Sequence, residues 1–242
     1  MSRANTLQSC VREGELAELR SRTIWQTLLR SAKRNPQRNA LVAANDAGEV
    51  KRVTFERLVE RVTNVSAGLA SIGVRRGDRL VLWMTNTPEW VVCSFAAMRL
   101  GAAVVPINTF LKPPEIRYVI AQSGARHLVM IDSFRKLCPA DMLAEICPEF
   151  AVAQAPGILF STEQPELRNV ILFGRSGDCH AGAFDLATLE TFGGIDEEAR
   201  QLADCMAHEV QGSDLGMIKY TSGSTGFPKG AMLEQGDRKS VV

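Results

Sequence analysis

Two spacings of apolar residues alternate along the chain. Repeats of three or four residues, at 23–32, 55–72 and 114–123, predict amphipathic helices. Between such repeats lie short, continuous apolar runs that are typical of strands buried on both faces. These predicted strands cover residues 80–84, 102–107, 128–131, 170–173 and 215–220. Strands that alternate with helices favour right-handed crossovers, so we predict an α/β fold with a mainly parallel sheet and helices on both faces.

Residue types at the segment ends support these assignments. Thr87-Pro88-Glu89 supplies a capping hydroxyl, a proline at the first helical position and an acid near the positive end of the helix dipole, so a helix begins there. Gly73 and Gly101 stand where helices end. The segments 40–44 and 50–53 predict a short hairpin, and 135–150 a weaker helical stretch broken by prolines. The segments 151–164 and 174–194, rich in Gly, Pro, Ser and Ala, are interpreted as connectors or surface cover.

Composition excludes several classes of function. The 242 residues carry 28 basic and 27 acidic side chains, a net charge of +1. The chain therefore lacks the large net positive charge that would attract nucleic acid or an anionic membrane. The longest uncharged stretches, 90–98 and 100–111, are too short to cross a bilayer. The N-terminus has neither a secretory apolar core nor an Arg-rich transit composition, so we expect a cytoplasmic protein. Six cysteines without a CxxC pair indicate neither a disulfide framework nor a zinc site.

Several residues that could carry chemistry are interpreted as structural. The tryptophans lie on apolar helix and strand faces, Cys93 lies among apolar neighbours, and Glu197-Glu198 is interpreted as a solvated helix start. The tryptophans are Trp25, Trp83 and Trp90.

One segment stands out chemically. Residues 220–230 read Tyr-Thr-Ser-Gly-Ser-Thr-Gly-Phe-Pro-Lys-Gly and follow a predicted strand. Glycines let backbone amides approach phosphate oxygens, hydroxyls add donors and the lysine adds a positive charge. The common phosphate-loop patterns do not fit, because Lys229 follows Pro228 and no glycine stands between Gly223 and Gly226. On composition alone, a phosphate loop and a flexible surface loop both stay open, and Lys219 is interpreted as a solvated lysine at a strand edge.

The order of residues in this segment resembles the phosphate-binding signature of the adenylate-forming, or AMP-binding, superfamily. That signature, Tyr-Thr-Ser-Gly-Ser/Thr-Thr-Gly-x-Pro-Lys-Gly, is matched at every fixed position. Upstream, residues 77–80, 86–90 and 100–108 resemble the N-terminal half of these enzymes in the same order, and Glu115, Tyr118 and residues 123–126 continue the likeness. The resemblance covers about residues 23–233 and is nearest to fatty-acyl and aryl-acyl CoA ligases.

This resemblance implies an ATP-dependent acid–CoA ligase. Such an enzyme activates a small carboxylic acid as an acyl-adenylate and then forms a thioester, with ATP, Mg²⁺ and CoA as the implied cofactor and co-substrates. By resemblance, Lys229 steadies a mobile loop that wraps the β- and γ-phosphates. The loop residues are Thr221, Ser222, Gly223, Ser224, Thr225 and Gly226. No catalytic residue is assigned in the chain, and the metal ligands and the identity of the acid stay open.

The sequence departs from the family pattern after Leu233. Family members continue with Ser-His, whereas this chain continues with Glu234-Gln235, and the family's adenine, magnesium and ribose segments and its small C-terminal domain do not follow. We therefore expect a loose arm at 1–22 and an incomplete N-terminal adenylation domain at 23–242, inactive as given. Two alternatives stay open: a non-catalytic ATP-binding or interaction module that works with a complementing chain, and a non-functional remnant with an unpaired sheet edge.

Overall fold

The computed structural model describes residues 21–44, 48–133, 138–157, 159–174, 180–221 and 228–237. The helices within these ranges are α1 (Ile24–Arg34), α2 (Phe55–Ser71), α3 (Pro88–Arg99), α4 (Pro113–Ser123), α5 (Pro139–Ile146), α6 (Pro148–Val152), α7 (Leu186–Ile195) and α8 (Glu197–Glu209). The strands are β1 (Asn39–Ala44), β2 (Val50–Thr54), β3 (Arg79–Trp83), β4 (Ala103–Pro106), β5 (His127–Ile131), β6 (Asn169–Phe173), β7 (Ala183–Asp185), β8 (Leu215–Thr221) and β9 (Lys229–Glu234).

A seven-stranded sheet forms the centre of the fold, in the order β7-β6-β5-β3-β4-β8-β9. Neighbouring strands run parallel from β7 to β8, and β9 alone is antiparallel within this sheet as described. Strands β1 and β2 form the predicted hairpin beside it. The prediction of an α/β fold with a mainly parallel sheet is confirmed.

Alternate side chains of the strands point into two separate cores, one on each face of the sheet. On β3, Leu80 and Leu82 join the core beneath α1, α2, α3, α7 and α8, whereas Val81 and Trp83 join the core beneath α4, α5 and α6. Because successive side chains of a strand point to opposite faces, a run without polar residues requires burial on both. Helices therefore cover both faces, as predicted.

Local signals placed the helix ends correctly. The Thr23 hydroxyl accepts a hydrogen bond from the backbone N–H of Gln26, whose side chain accepts one in return, so a capping box begins α1. Thr87 caps α3, with proline at its first position. Gly101 follows α3 with a φ of 77°, a left-handed conformation that favours glycine.

The interpretation of residues 174–194 as a connector is wrong for most of its described part. Residues 183–185 form β7 and 186–195 form α7, which begins at the Asp185 cap. Two adjacent glycines, Gly193 and Gly194, gave this segment a loop-like composition. In the fold, Gly193 faces α2, where a side chain would meet backbone atoms. Glycine here permits a close contact between helices and does not break the helix.

The sheet does not end at β8, and its outer edge, as described, lies at β9. The chain returns as β9 and pairs with β8 along six positions, so β8 is an interior strand. Lys219 is exposed but does not lie at the edge of the sheet. Strand β9 contains Gly230 and Ala231, which have low strand propensity, and this explains why the sequence pattern did not predict it.

Candidate phosphate-binding site

The signature segment begins and ends at one edge of the sheet. Strand β8 runs parallel to its neighbour β4, so Thr221, its last residue, lies at the carboxyl edge of the parallel strands. The chain returns to this edge at Lys229, which pairs directly with Thr221 in the β8–β9 ladder. Both residues are exposed. The fold therefore brings together the first and the last of the predicted site residues.

The other predicted site residues lie outside the described residues. They are Ser222, Gly223, Ser224, Thr225 and Gly226. What the structure does establish is the base of the loop that contains them. This base is the end of the β8–β9 hairpin, from Tyr220 and Thr221 on one strand to Pro228 and Lys229 on the other.

Helix α4 contacts this base on both strands. The Tyr118 hydroxyl donates a hydrogen bond to the backbone oxygen of Pro228 at 3.4 Å, and the Tyr220 hydroxyl donates one to Oε1 of Gln122. Both tyrosine rings pack against the core between α4 and the sheet. Burial, together with the neighbouring Tyr118 phenol, raises the pKa of Tyr220, so its hydroxyl keeps its proton and stays a donor at neutral pH.

The last glycine of the signature makes room for one of these rings. Gly230 pairs with Tyr220 across the hairpin. A Cβ added at Gly230 would lie 2.8 Å from Cγ2 of Ile218 and 3.3 Å from Cζ of Tyr220. A side chain there would therefore overlap Ile218 and press against the Tyr220 ring, whose hydroxyl reaches α4.

Sequence reasoning found Tyr118 only as part of the family resemblance and did not single out Gln122. One signal was available, because the two residues are four apart in a predicted helix and therefore share a face. The chain contains only two tyrosines, and the structure places both of them at this base.

The tryptophans and Cys93, which are interpreted as structural, lie in or against the core. Trp83 is buried, and Trp25 and Trp90 pack against the core on the other face of the sheet. Cys93 is buried, and burial raises the pKa of its thiol to about 12. Glu197 and Glu198 are exposed in the first turn of α8. These interpretations are confirmed.

Two further properties bear on function. Within the described ranges, no three His, Cys, Asp or Glu side chains come close enough together to hold a metal ion. None of the helices described here is both long and apolar enough to span a bilayer.

Comparison with known proteins identifies relatives of this chain. The family model described as AMP-binding enzyme matches residues 28–239. The medium-chain acyl-CoA ligase ACSF2, mitochondrial, of Homo sapiens is 35% identical over 231 residues, which are 94% of this chain and 35% of that protein. The chain thus spans about a third of the length of the curated relatives it matches.

Solved structures agree with this result. The N-terminal domain of FACL13 from Mycobacterium tuberculosis is similar with a TM-score of 0.63 and 26% identity, over 88% of this chain and 44% of that one. Acetoacetyl-CoA synthetase from Streptomyces lividans has a TM-score of 0.71 at 24% identity, over 89% of this chain and 31% of that one, and at this identity it shows the fold alone. Both have the fold that the sequence predicts.

Proposed function

Because the chain belongs to the family of AMP-binding enzymes, we propose that it binds ATP for an ATP-dependent acid–CoA ligase and that residues 221–229 hold the ATP phosphates. One observation carries this proposal. The signature segment leaves and re-enters the sheet at the carboxyl edge of its parallel strands, with Thr221 opposite Lys229. Ligands of open α/β sheets bind at that edge, in the crevice outside the strand ends.

The chemistry of the segment suits a polyphosphate. Gly223 and Gly226 allow backbone amides to come close to the β- and γ-phosphates and donate hydrogen bonds to them. Further donors are the hydroxyls of Thr221, Ser222, Ser224 and Thr225. Lys229 adds a flexible cation at the base of the loop, where its side chain is exposed. A carboxylate attacks the α-phosphorus, the bond to pyrophosphate breaks, and these donors offset the charge that develops on the leaving pyrophosphate.

The remaining partners of the reaction follow from the family. Mg²⁺ would neutralise phosphate charge, and such ions are commonly held by one or two carboxylates and the phosphates themselves, so the site does not need a three-residue protein cluster. The CoA thiolate would then displace AMP from the acyl-adenylate to form the thioester. We propose a small carboxylic acid as the substrate and leave its chain length open; ACSF2 is named as a medium-chain acyl-CoA ligase.

Two organisational predictions belong to the same proposal. We propose that the AMP-binding domain begins near residue 23 and that a complementing chain could supply what a full ligase needs. Residues 1–20 of the arm expected at 1–22 lie outside the described residues. A cytoplasmic location stays a prediction, and the relative ACSF2 is named as mitochondrial. Fractionation of cells that express the tagged chain tests the location directly.

Calorimetric titration with Mg²⁺-ATP tests the binding site. The Lys229→Ala variant loses a charge-assisted hydrogen bond to phosphate, which is worth about 1.5–3 kcal/mol, so its dissociation constant should rise by about tenfold to a hundredfold. The Lys33→Ala variant is the matched control, because Lys33 is an exposed lysine on α1 and should not affect ATP binding. Equal affinity of the Lys229→Ala variant and the wild type would refute the assignment.

Catalysis is measured separately by ATP–pyrophosphate exchange with a panel of aliphatic and aryl carboxylic acids. Exchange that depends on one of these acids supports a ligase directly and names its substrate class. ATP binding without exchange is the result expected of an adenylation domain that is inactive as given, and a non-catalytic ATP-binding module would give the same result. If the chain neither binds ATP nor unfolds cooperatively, it is a non-functional remnant.

A further inference from the structure

The strand end that bears the loop extends past the ladder position that joins β8 to β4. In the described structure, β4 pairs with β8 at a single position, Val104 with Met217. Beyond Met217, the ladder partner of residues 218–221 is β9. Contacts with a further element would fix this end of the hairpin in place.

Helix α4 supplies that support through one of its faces. Tyr118 and Gln122 are one helical turn apart, and each contacts a different strand of the hairpin. Tyr118 donates to the backbone oxygen of Pro228, the residue before Lys229, and Gln122 accepts from Tyr220, the residue before Thr221. The two contacts therefore lie on opposite sides of the loop.

We propose that Tyr118 and Gln122 are positioning residues for the phosphate loop, holding its two ends against α4. This inference rests on the proposed function of the loop. Neither residue is expected to touch ATP. Fixed loop ends lower the conformational entropy that is lost when a loop orders around phosphate, so they increase affinity without adding a contact to the ligand.

The two hydrogen bonds join residues that are far apart in sequence, so they form only when the chain is folded. Tyr118 and Pro228 are 110 positions apart, and Gln122 and Tyr220 are 98 apart. Gly230 fits this arrangement, because a Cβ there would overlap Cγ2 of Ile218 and lie tightly against the Tyr220 ring. The loop is thus positioned jointly by α4 and by the last glycine of its own signature.

Three variants test the inference. Tyr118→Phe removes a hydroxyl and keeps the ring in the core. Gln122→Met removes the acceptor for Tyr220 at nearly constant side-chain volume. Gln122→Glu keeps an acceptor oxygen and should therefore keep the hydrogen bond from Tyr220. We expect the dissociation constant for Mg²⁺-ATP to rise two- to tenfold in Tyr118→Phe and in Gln122→Met, and to stay near the wild-type value in Gln122→Glu.

Hydrogen–deuterium exchange and fluorine NMR report on the loop ends without catalysis. Exchange of the peptide 219–230 should be faster in Tyr118→Phe and Gln122→Met than in the wild type and in Gln122→Glu. Incorporation of 3-fluorotyrosine should give two resonances, because the chain has two tyrosines, and Mg²⁺-ATP should shift at least one of them. The melting temperature should stay close to the wild-type value in all three variants.

These measurements separate failure of the inference from failure of the proposed function. If the wild type binds no ATP, the proposed function fails, and the exchange data still decide whether α4 holds the loop ends. If ATP binds and the Tyr118→Phe and Gln122→Met variants keep wild-type affinity, the inference is refuted. It is refuted as well if these variants melt earlier but show unchanged affinity and exchange, since that result indicates a purely structural role.

Discussion

Replacement of Gly193 by alanine tests the contact between α7 and α2, which the sequence did not predict. A Cβ at position 193 would lie 2.7 Å from the backbone nitrogen of Gly68 and 3.0 Å from Cβ of Ala67, and closer still to the carbonyl oxygen of Asn64. Because two of these atoms belong to the backbone, rotation of a side chain cannot relieve the overlap. The two helices would have to separate.

The expected cost is the difference between two opposing effects. Alanine in place of glycine within a helix stabilises it by about 1 kcal/mol. Overpacking of a close contact costs about 1–3 kcal/mol and more where the backbone must move. Since the overlap at Gly193 involves backbone atoms, we expect a net loss of about 2 kcal/mol, or a fall in melting temperature of about 4–8 °C for a chain of this size.

The next residue of the same helix provides the matched control. A Cβ at Gly194 would lie 3.2 Å from Nδ2 of Asn64, the far end of a side chain that can rotate away. Gly194→Ala should therefore be as stable as the wild type, or more stable by up to about 1 kcal/mol. Urea unfolding followed by far-UV circular dichroism gives the three free energies of unfolding, provided the m-values agree. A Gly193→Ala variant as stable as Gly194→Ala would show that α7 does not pack closely on α2.

Two further predictions concern groups buried on the same face of the sheet. Arg61 donates to Glu190 at 2.8 Å and to Glu89 at 3.1 Å, so Arg61→Met removes the cation beside Glu190 and leaves Glu89 with Lys51, and it should cost about 3 kcal/mol at pH 7. Burial alone would raise the pKa of the Glu89 carboxyl, but its own backbone N–H, Lys51 and Arg61 hold that pKa below the ordinary 4.5. The stability that the Glu89 carboxylate contributes is therefore present above pH 4.5 and is lost as the pH falls through the lowered pKa. The difference in urea stability between wild type and Arg61→Met should therefore shrink below pH 4.5, and a constant difference would contradict the ion-pair account. Burial raises the pKa of the Cys93 thiol to about 12, so iodoacetamide at about pH 8 should spare it until urea unfolds the chain, and rapid labelling of native Cys93 would argue against its burial.

Elements with strong local signals were predicted from the sequence. Helix α3 begins at Thr87 and Pro88 because a capping hydroxyl and a preset backbone angle act within one turn. Strand β3 was predicted because an apolar run of its length is favourable only between two layers of helices. Such signals depend only on residues that are close in sequence, so a single sequence is sufficient to recognise them.

Elements whose residues serve distant contacts were not predicted. Gly193 lowers the helix propensity of α7, and its advantage appears only when α2 lies against it. Strand β9 lacks β-branched residues and forms because the hairpin pairs it with β8. In both cases, tertiary packing outweighs a local preference of about 1 kcal/mol per residue.

The same distinction between local and distant contacts applies to the candidate site. The chemistry of residues 221–229 follows from their amino-acid types, because glycine, hydroxyl and lysine side chains suit phosphate wherever the loop lies. The meeting of Thr221 and Lys229 at the carboxyl edge, and the contacts of Tyr118 and Gln122 with the loop ends, depend on how the chain folds. Those contacts join residues about a hundred positions apart, and no spacing in the sequence encodes them. They exist because α4 packs on the same face of the sheet toward which Tyr220 points.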